Sequence, residues 1–203
     1  PGAPDDTVTL TVPGGAPSAV TADVCYGSDG GSTSYDVFVC RADITELAKA
    51  APSGLQGDYL VDDYSGRIAD GASDHASAAI LMIFSDDSLE PNTVVIYDGL
   101  LTLSSSGKVL TVMEGFTSPG LGGSFAWYTL EGDVSGSGAE AVSLQGLPGA
   151  GSEIFSDGIN PPDNPMNRTV NIPGHVATET ISLDLDRFPV SVLSNGDTSA
   201  EVT

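Results

Sequence analysis

Apolar and polar positions alternate from Thr7 to Val12. Val8, Leu10 and Val12 fall on one side of an extended chain and three threonines on the other. A period of two in β-branched residues predicts a half-buried strand. Pro13, Gly14 and Gly15 end it. Short apolar runs at 19–26, 35–40, 57–62, 77–84, 92–98, 108–114, 124–131, 140–145, 179–185 and 199–203 predict further strands, with Gly, Pro, Asn, Asp and Ser clusters between them. Two runs have the pattern of central strands. SAAILMIF at 77–84 is apolar on both faces. In 125–130, Phe125 and Trp127 share one face, and Tyr128 and Leu130 the other. One short helix is predicted over 43–50, where Asp43 precedes Glu46 by three residues as in a capping box and Pro52 and Gly54 stop the chain.

These elements predict an all-β chain, an antiparallel β-sandwich of jelly-roll-like or Ig-like type, folded as a single domain over 1–203. No repeat and no long linker interrupts it. Residues 146–176 form the longest stretch with little strand pattern, which reads as a functional or packing loop. Residues 1–13 are a candidate exchangeable strand. In that reading Val8, Leu10 and Val12 would complete the sheet of a neighbouring copy by β-strand addition, and the Pro-Gly-Gly segment would act as a hinge. An ordinary edge strand of the same domain is the alternative.

Charge changes the picture. Lys and Arg number 6 against 28 Asp and Glu, for a formal net charge of -22. Six dispersed cations cannot form a stripe for a phosphate backbone, so nucleic acid is excluded as a partner. Repulsion also disfavours an anionic membrane surface, and no apolar run approaches the roughly 18 residues of a spanning helix. Salt, divalent cations or a well-packed core must offset the self-repulsion. A saline or calcium-containing exterior fits this charge, as does the general acidity of many secreted proteins. The chain begins at Pro1 rather than Met, which is the expectation for a processed product. Cys25 and Cys40 are the two cysteines, each in a predicted strand on either side of a turn-rich segment. They predict a disulfide, worth about 3 kcal/mol for a loop of this length, and with it an exported, extracellular or cell-surface protein.

Candidate chemistry is sparse. His75 and His175 belong to no nucleophile or metal motif. Adjacent carboxylates such as Asp62-Asp63 point to opposite strand faces. Asp184 and Asp186 share a face opposite Leu183 and Leu185, the pattern of a solvated strand face. The one local concentration of hard oxygen ligands is the loop 155–167, where Asp157, Asn160, Asp163 and Asn164 are candidate calcium ligands beside Asn167. Glu131 and Asp133 are further candidates for the same site, and turn formation by Asn and Asp is the alternative for the loop. Asn195-Gly196-Asp197 reads as a tight hairpin turn. Asn167-Arg168-Thr169 is a glycosylation acceptor pattern at Asn167. No catalytic residue and no cofactor other than calcium is nominated.

Several motifs recur in a telling order: VCRADIT (39–45), AAILMIF followed by SDDS, VVIYDGL (94–100), MEGFTSP (113–119), LEGD (130–133) and FSDGINPPDNPMN (155–167). In this order they resemble an uncharacterised, secreted β-rich domain of bacterial and archaeal cell-surface proteins, over about residues 35–200. Met82 and Phe84 depart from that domain's usual strand ending. The resemblance implies an extracellular β-sandwich with no catalytic residues to transfer. The resulting expectation is a non-enzymatic structural protein, a subunit of a cell-surface filament or surface layer that self-associates into a homopolymer. The alternative is a calcium-dependent adhesive or glycan-binding module whose partners are glycans or other cell-surface proteins.

Overall fold

A computed structural model of the chain describes residues 5–28, 37–64, 76–100, 108–120, 122–130, 140–149, 151–172, 174, 176 and 183–203. The fold is all-β with antiparallel sheets and one short helix, as the alternation predicts. The chain gathers into two compact units, Pro1–Glu90 with Asp98–Thr102, and Pro91–Tyr97 with Leu103–Thr203.

In the first unit, β1 (Thr7–Thr11) lies between β2 (Ser18–Thr21) and β5 (Leu60–Asp62). Val8 stands opposite Val20, and Leu10 opposite Val61. The predicted apolar face is the buried one. Leu10 and Val12 form a core with Ala51, packed by Val20, Ile44, Leu47, Tyr59 and Val61, while Val8 is half-buried. With neighbours on both sides, the candidate exchangeable strand is a central strand here, not a free edge. The Pro-Gly-Gly segment is a pinned turn. Gly15 N–H donates to Val12 O, Ser53 N–H donates to Pro13 O, and a Cβ at Gly14 (φ 72°) would meet Ser53 Oγ at 2.2 Å.

The run 19–26 divides into β2 and β3 (Val24–Ser28), and β3 pairs with β4 (Val37–Arg41). Cys25 and Cys40 stand directly opposite in this register and are joined by the predicted disulfide. The helix α1 spans Thr45–Lys49. The predicted capping box does not form: Ile44 is the N-cap and makes no side-chain cap, and Asp43, one position outside it, accepts from Thr45 N–H through Oδ1 at 2.8 Å. Glu46 pairs with Lys49 instead of reaching back. Arg41 and Tyr26 both donate to Asp98, an exposed arrangement of little energetic weight.

The two runs 77–84 and 92–98 are corrections to the predicted strands. Residues 76–100 contain no strand, and the turn at 86–89 is closed by Asp86, which accepts from Ser88 N–H and Oγ. Leu81 and Phe84 are each 69% exposed, and Ile83, Val94 and Ile96 are exposed as well. Their β propensity is real, but a strand also needs a hydrogen-bonded neighbour.

In the second unit, β6 (Thr111–Glu114), β11 (Ser199–Val202), β8 (Ser143–Leu147) and β9 (Ser152–Ile154) form a four-stranded sheet in that order. Facing it is the ladder of β7 (Gly123–Leu130) with β10 (Leu183–Val190), paired along its whole length. The two layers meet in one core of Val142, Leu144, Phe155, Phe188, Val190 and Ala200. Phe125 and Trp127 of β7 join it, with Trp127 stacked on Phe188 at 4.9 Å between ring centroids. Each such aromatic pair adds about 0.5–1.5 kcal/mol beyond the area it buries. β9 has no counterpart among the predicted strands, and the run predicted at 179–185 is realised four residues later as β10. Asn195, Gly196 and Asp197 do form a turn, with the buried Asp197 accepting from Ser194 N–H at 2.8 Å, but β10 and β11 on either side of it pair with other strands.

Candidate functional site

β10 decides the chemistry of the second unit through its phase. Residues 184, 186, 188 and 190 share one face, and all four are buried. Phe188 and Val190 are drawn into the aromatic core, so Asp184 and Asp186 are carried inward with them, each fully buried. The pattern of a solvated face at this pair is therefore corrected. Leu185 is the half-buried residue and Arg187 the exposed one.

The loop from Phe155 to Asn171 folds over these two carboxylates. Asp184 accepts from three successive backbone N–H groups, those of Asn167, Arg168 and Thr169, at 3.0, 2.9 and 3.2 Å. Such a concave run of N–H groups suits an anion, and Arg168 has the positive φ of 66° that turns the chain around it. Val170 then bridges Leu185 in parallel, and Leu185 N–H donates to Thr169 O. Burial pushes the Asp184 carboxyl up, opposed by these three N–H groups and by the Arg168 charge.

Asp186 is held differently. Its Oδ1 accepts from Asn160 Nδ2 at 3.2 Å, while its Oδ2 is buried and meets no donor. Burial raises its pKa to about 7. Asn160 and the Asn171 backbone N–H work downward, and the charges of Asp184 and Asp157 upward. Asp157 lies at the solvent edge of the same junction. It accepts from Ile159 N–H, Asn160 N–H, Asn160 Nδ2 and, at 2.6 Å, Asn171 Nδ2. Partial burial works upward on it, but the Asn171 side chain and the backbone donors outweigh that and hold its carboxyl below the ordinary value.

The candidate calcium ligands meet different fates. Asp157 and Asn160 come together, but as partners of each other: Asn160 is fully buried and its Oδ1 accepts from Thr169 Oγ1. Asn164 is buried, and Asp163 is exposed on the outside of the loop. Asn167 is buried, with its Nδ2 donating to Ile159 O at 2.7 Å. A glycan would attach at that nitrogen, which the folded chain keeps buried and hydrogen-bonded. Glu131, Asp133, His75 and His175 lie outside the described residues. Among the described residues, no three His, Cys, Asp or Glu side chains are grouped to hold a metal ion.

Asp186 is the residue that sequence reasoning missed. Extending the strand past residue 185 would have shown it in phase with Phe188 and Val190. Comparisons of this chain with protein-family models, with curated proteins and with solved structures find no match.

Proposed function

We propose that this chain is a non-enzymatic structural protein of the cell exterior, a subunit of a surface filament or layer that adds to further copies partly by β-strand addition. One observation carries the reading: the run 78–84, AAILMIF, holds no charge, is apolar throughout, and is exposed with no strand partner among the described residues. In a chain of net charge -22, copies can approach closely only through neutral segments or bare backbone. The run supplies both. Covering Leu81, Ile83 and Phe84 in a neighbour would contribute about 1.5–3 kcal/mol each. Asp86 and Asp87 directly after it limit uncontrolled stacking. The Cys25–Cys40 disulfide fits an oxidising exterior, and the resemblance to domains of surface proteins points the same way. The exchanging segment in this reading is 78–84, since β1 is held between two strands of its own unit.

Analytical ultracentrifugation and electron microscopy of the full chain test the reading. Assembly that grows with concentration and is lost in Leu81→Asp and Phe84→Asp supports it, provided that both variants keep the circular dichroism of the wild type. A wild-type chain that stays monomeric at high concentration overturns it. Variants that unfold would show instead that the run belongs to the chain's own core.

The oxygen-rich junction between the 155–171 loop and β10 favours a second reading, a calcium-dependent adhesive or glycan-binding module. Retention on immobilised glycans in calcium, but not in chelator, is its signature.

A further inference from the structure

Among the described residues, β7 has one strand partner, β10, and no strand lies along its other side. The direction of its backbone groups follows from β10. Leu185 N–H donates to Thr169 O, and Asn171 N–H donates to Leu185 O. Arg187 N–H donates to Asn171 Oδ1. Residues 185 and 187 therefore turn their backbone groups away from β7. In an antiparallel ladder the residue opposite such a position turns away as well. Ala126 stands opposite Arg187, and Ser124 opposite Pro189 in the same phase, so both aim N–H and C=O at the open side. The side chains along that edge are apolar on both faces. Phe125 and Trp127 pack on the core but are only half-buried, while Ala126 and Tyr128 on the other face are exposed. Gly123–Leu130 contains no charged residue. A neutral edge beside a half-covered aromatic row is a template for a further strand.

We infer that this edge receives residues 78–84 of a second copy, so that AAILMIF becomes the strand beside β7 and its alternate side chains close over Phe125 and Trp127. The inference rests on assembly through 78–84 and names the surface to which that run adds. Length selects β7. It has 8 residues for a run of seven, whereas the other edge strands β2, β3, β4, β5, β6 and β9 have three to five. β10 is as long, but Val170 already bridges its outer side at Leu185, and Pro189 has no N–H to offer. Charge selects β7 as well. Asp62 of β5, Glu114 of β6 and Glu153 of β9 each meet an incoming copy of net charge -22 with a carboxylate, and β7 presents none. The pattern agrees: the run is apolar on both faces, as it must be if one face covers the aromatic row and the other lies along Ala126 and Tyr128. Every copy carries one donor run and one open edge, so the contact is head-to-tail, the kind that gives rings or filaments.

Trp127 is the single tryptophan of the chain and lies under the added strand, so its fluorescence reads the contact without any substitution. In the wild-type chain, emission should move to shorter wavelength as concentration drives assembly, and the Ala126 amide should gain protection from hydrogen exchange. Ala126→Pro removes an outward N–H and leaves the bonds to β10 intact. It should stop assembly while keeping the circular dichroism of the wild type. Mixed with Phe84→Asp, which retains its own β7 edge, it should form one-to-one dimers and nothing longer, because that pair has one intact run and one open edge. No dimer in a mixture of the two folded variants overturns the inference. Assembly of the wild type with Trp127 emission and Ala126 exchange unchanged also overturns it, and leaves 78–84 standing as a joint to some other surface. A wild type that never assembles overturns both. Short-wavelength emission already present in the dilute monomer, and independent of concentration, overturns it too, since the run would then lie on the edge of its own copy. If Ala126→Pro unfolds, the wild-type fluorescence and exchange decide the matter by themselves.

Discussion

Asp184 and Asp186 are neighbours on one strand face, yet their environments ask opposite things of them. Asp184 has three backbone N–H groups, so its charge is spread into the loop and holds residues 167–169 in place. Removing it in Asp184→Ala leaves those donors facing a void, and a loss of about 3 kcal/mol is expected, read by urea unfolding. Faster hydrogen exchange at the amides of Asn167, Arg168 and Thr169 would place the damage in the loop. Asp186 instead has Asn160 Nδ2 on its Oδ1 and no hydrogen-bond donor on its buried Oδ2, and burial raises its pKa from 3.8 to about 7. A raised carboxyl binds its proton more tightly in the folded than in the unfolded chain. Its contribution to stability is therefore fully present below about pH 4 and lost as pH rises through about 7. In chelator, Asp186→Asn should be more stable than the wild type by about 1–3 kcal/mol at pH 8, with the gain shrinking towards pH 4. Equal stabilities at pH 8 would show that the carboxylate has found a donor.

Strand formation at the level of elements depends on a partner as well as on pattern. TVTLTV and AAILMIF both carry β propensity, but only the first lies between paired strands, β2 and β5. Gly14 shows how firmly β1 is fixed at its end. Its positive φ and the 2.2 Å approach of Ser53 Oγ to any Cβ make Gly14→Ala costly, by about 1–2 kcal/mol in thermal unfolding, where a loose hinge would tolerate it. The β3–β4 hairpin depends on a covalent staple between directly opposed residues. Cys25→Ala with Cys40→Ala should lower stability by about 3 kcal/mol, most of it through the unfolded chain. Reduction of the wild type should reproduce that loss.

For the whole molecule, 28 acidic side chains against 6 basic ones make repulsion the first obstacle to assembly. Screening shortens its reach from about 30 Å at 0.01 M salt to about 3 Å at 1 M. Light scattering should show association strengthening with sodium chloride, the reverse of a complex held by opposite charges. Weakening with salt would point to salt bridges between copies and away from a neutral strand as the joint. The acidic coat bears on the interior as well, since the loop–β10 junction adds buried carboxylates to a molecule already short of cations.

Period-two alternation is local, so the all-β class, the inward faces of Leu10 and Val12, the aromatic face of β7 and the facing cysteines were all legible from the chain. Asn and Asp density likewise marked 155–167 as the loop with unusual chemistry. Which face of a strand turns inward is not local when both faces carry leucine or aspartate. For 183–186 it followed from Phe188 and Val190 entering the core beyond the predicted strand end, and a strand misplaced by a few residues puts its aspartates on the wrong side. Pairing is less local still. β1 became central, and 78–84 stayed bare, because of where other strands lie. The identity of the residues was enough to show that oxygens crowd one loop. Only the tertiary structure decided which of them are satisfied, because a hydrogen bond depends on the approach of groups distant in the chain, here residues 157–171 closing over Asp184 and Asp186.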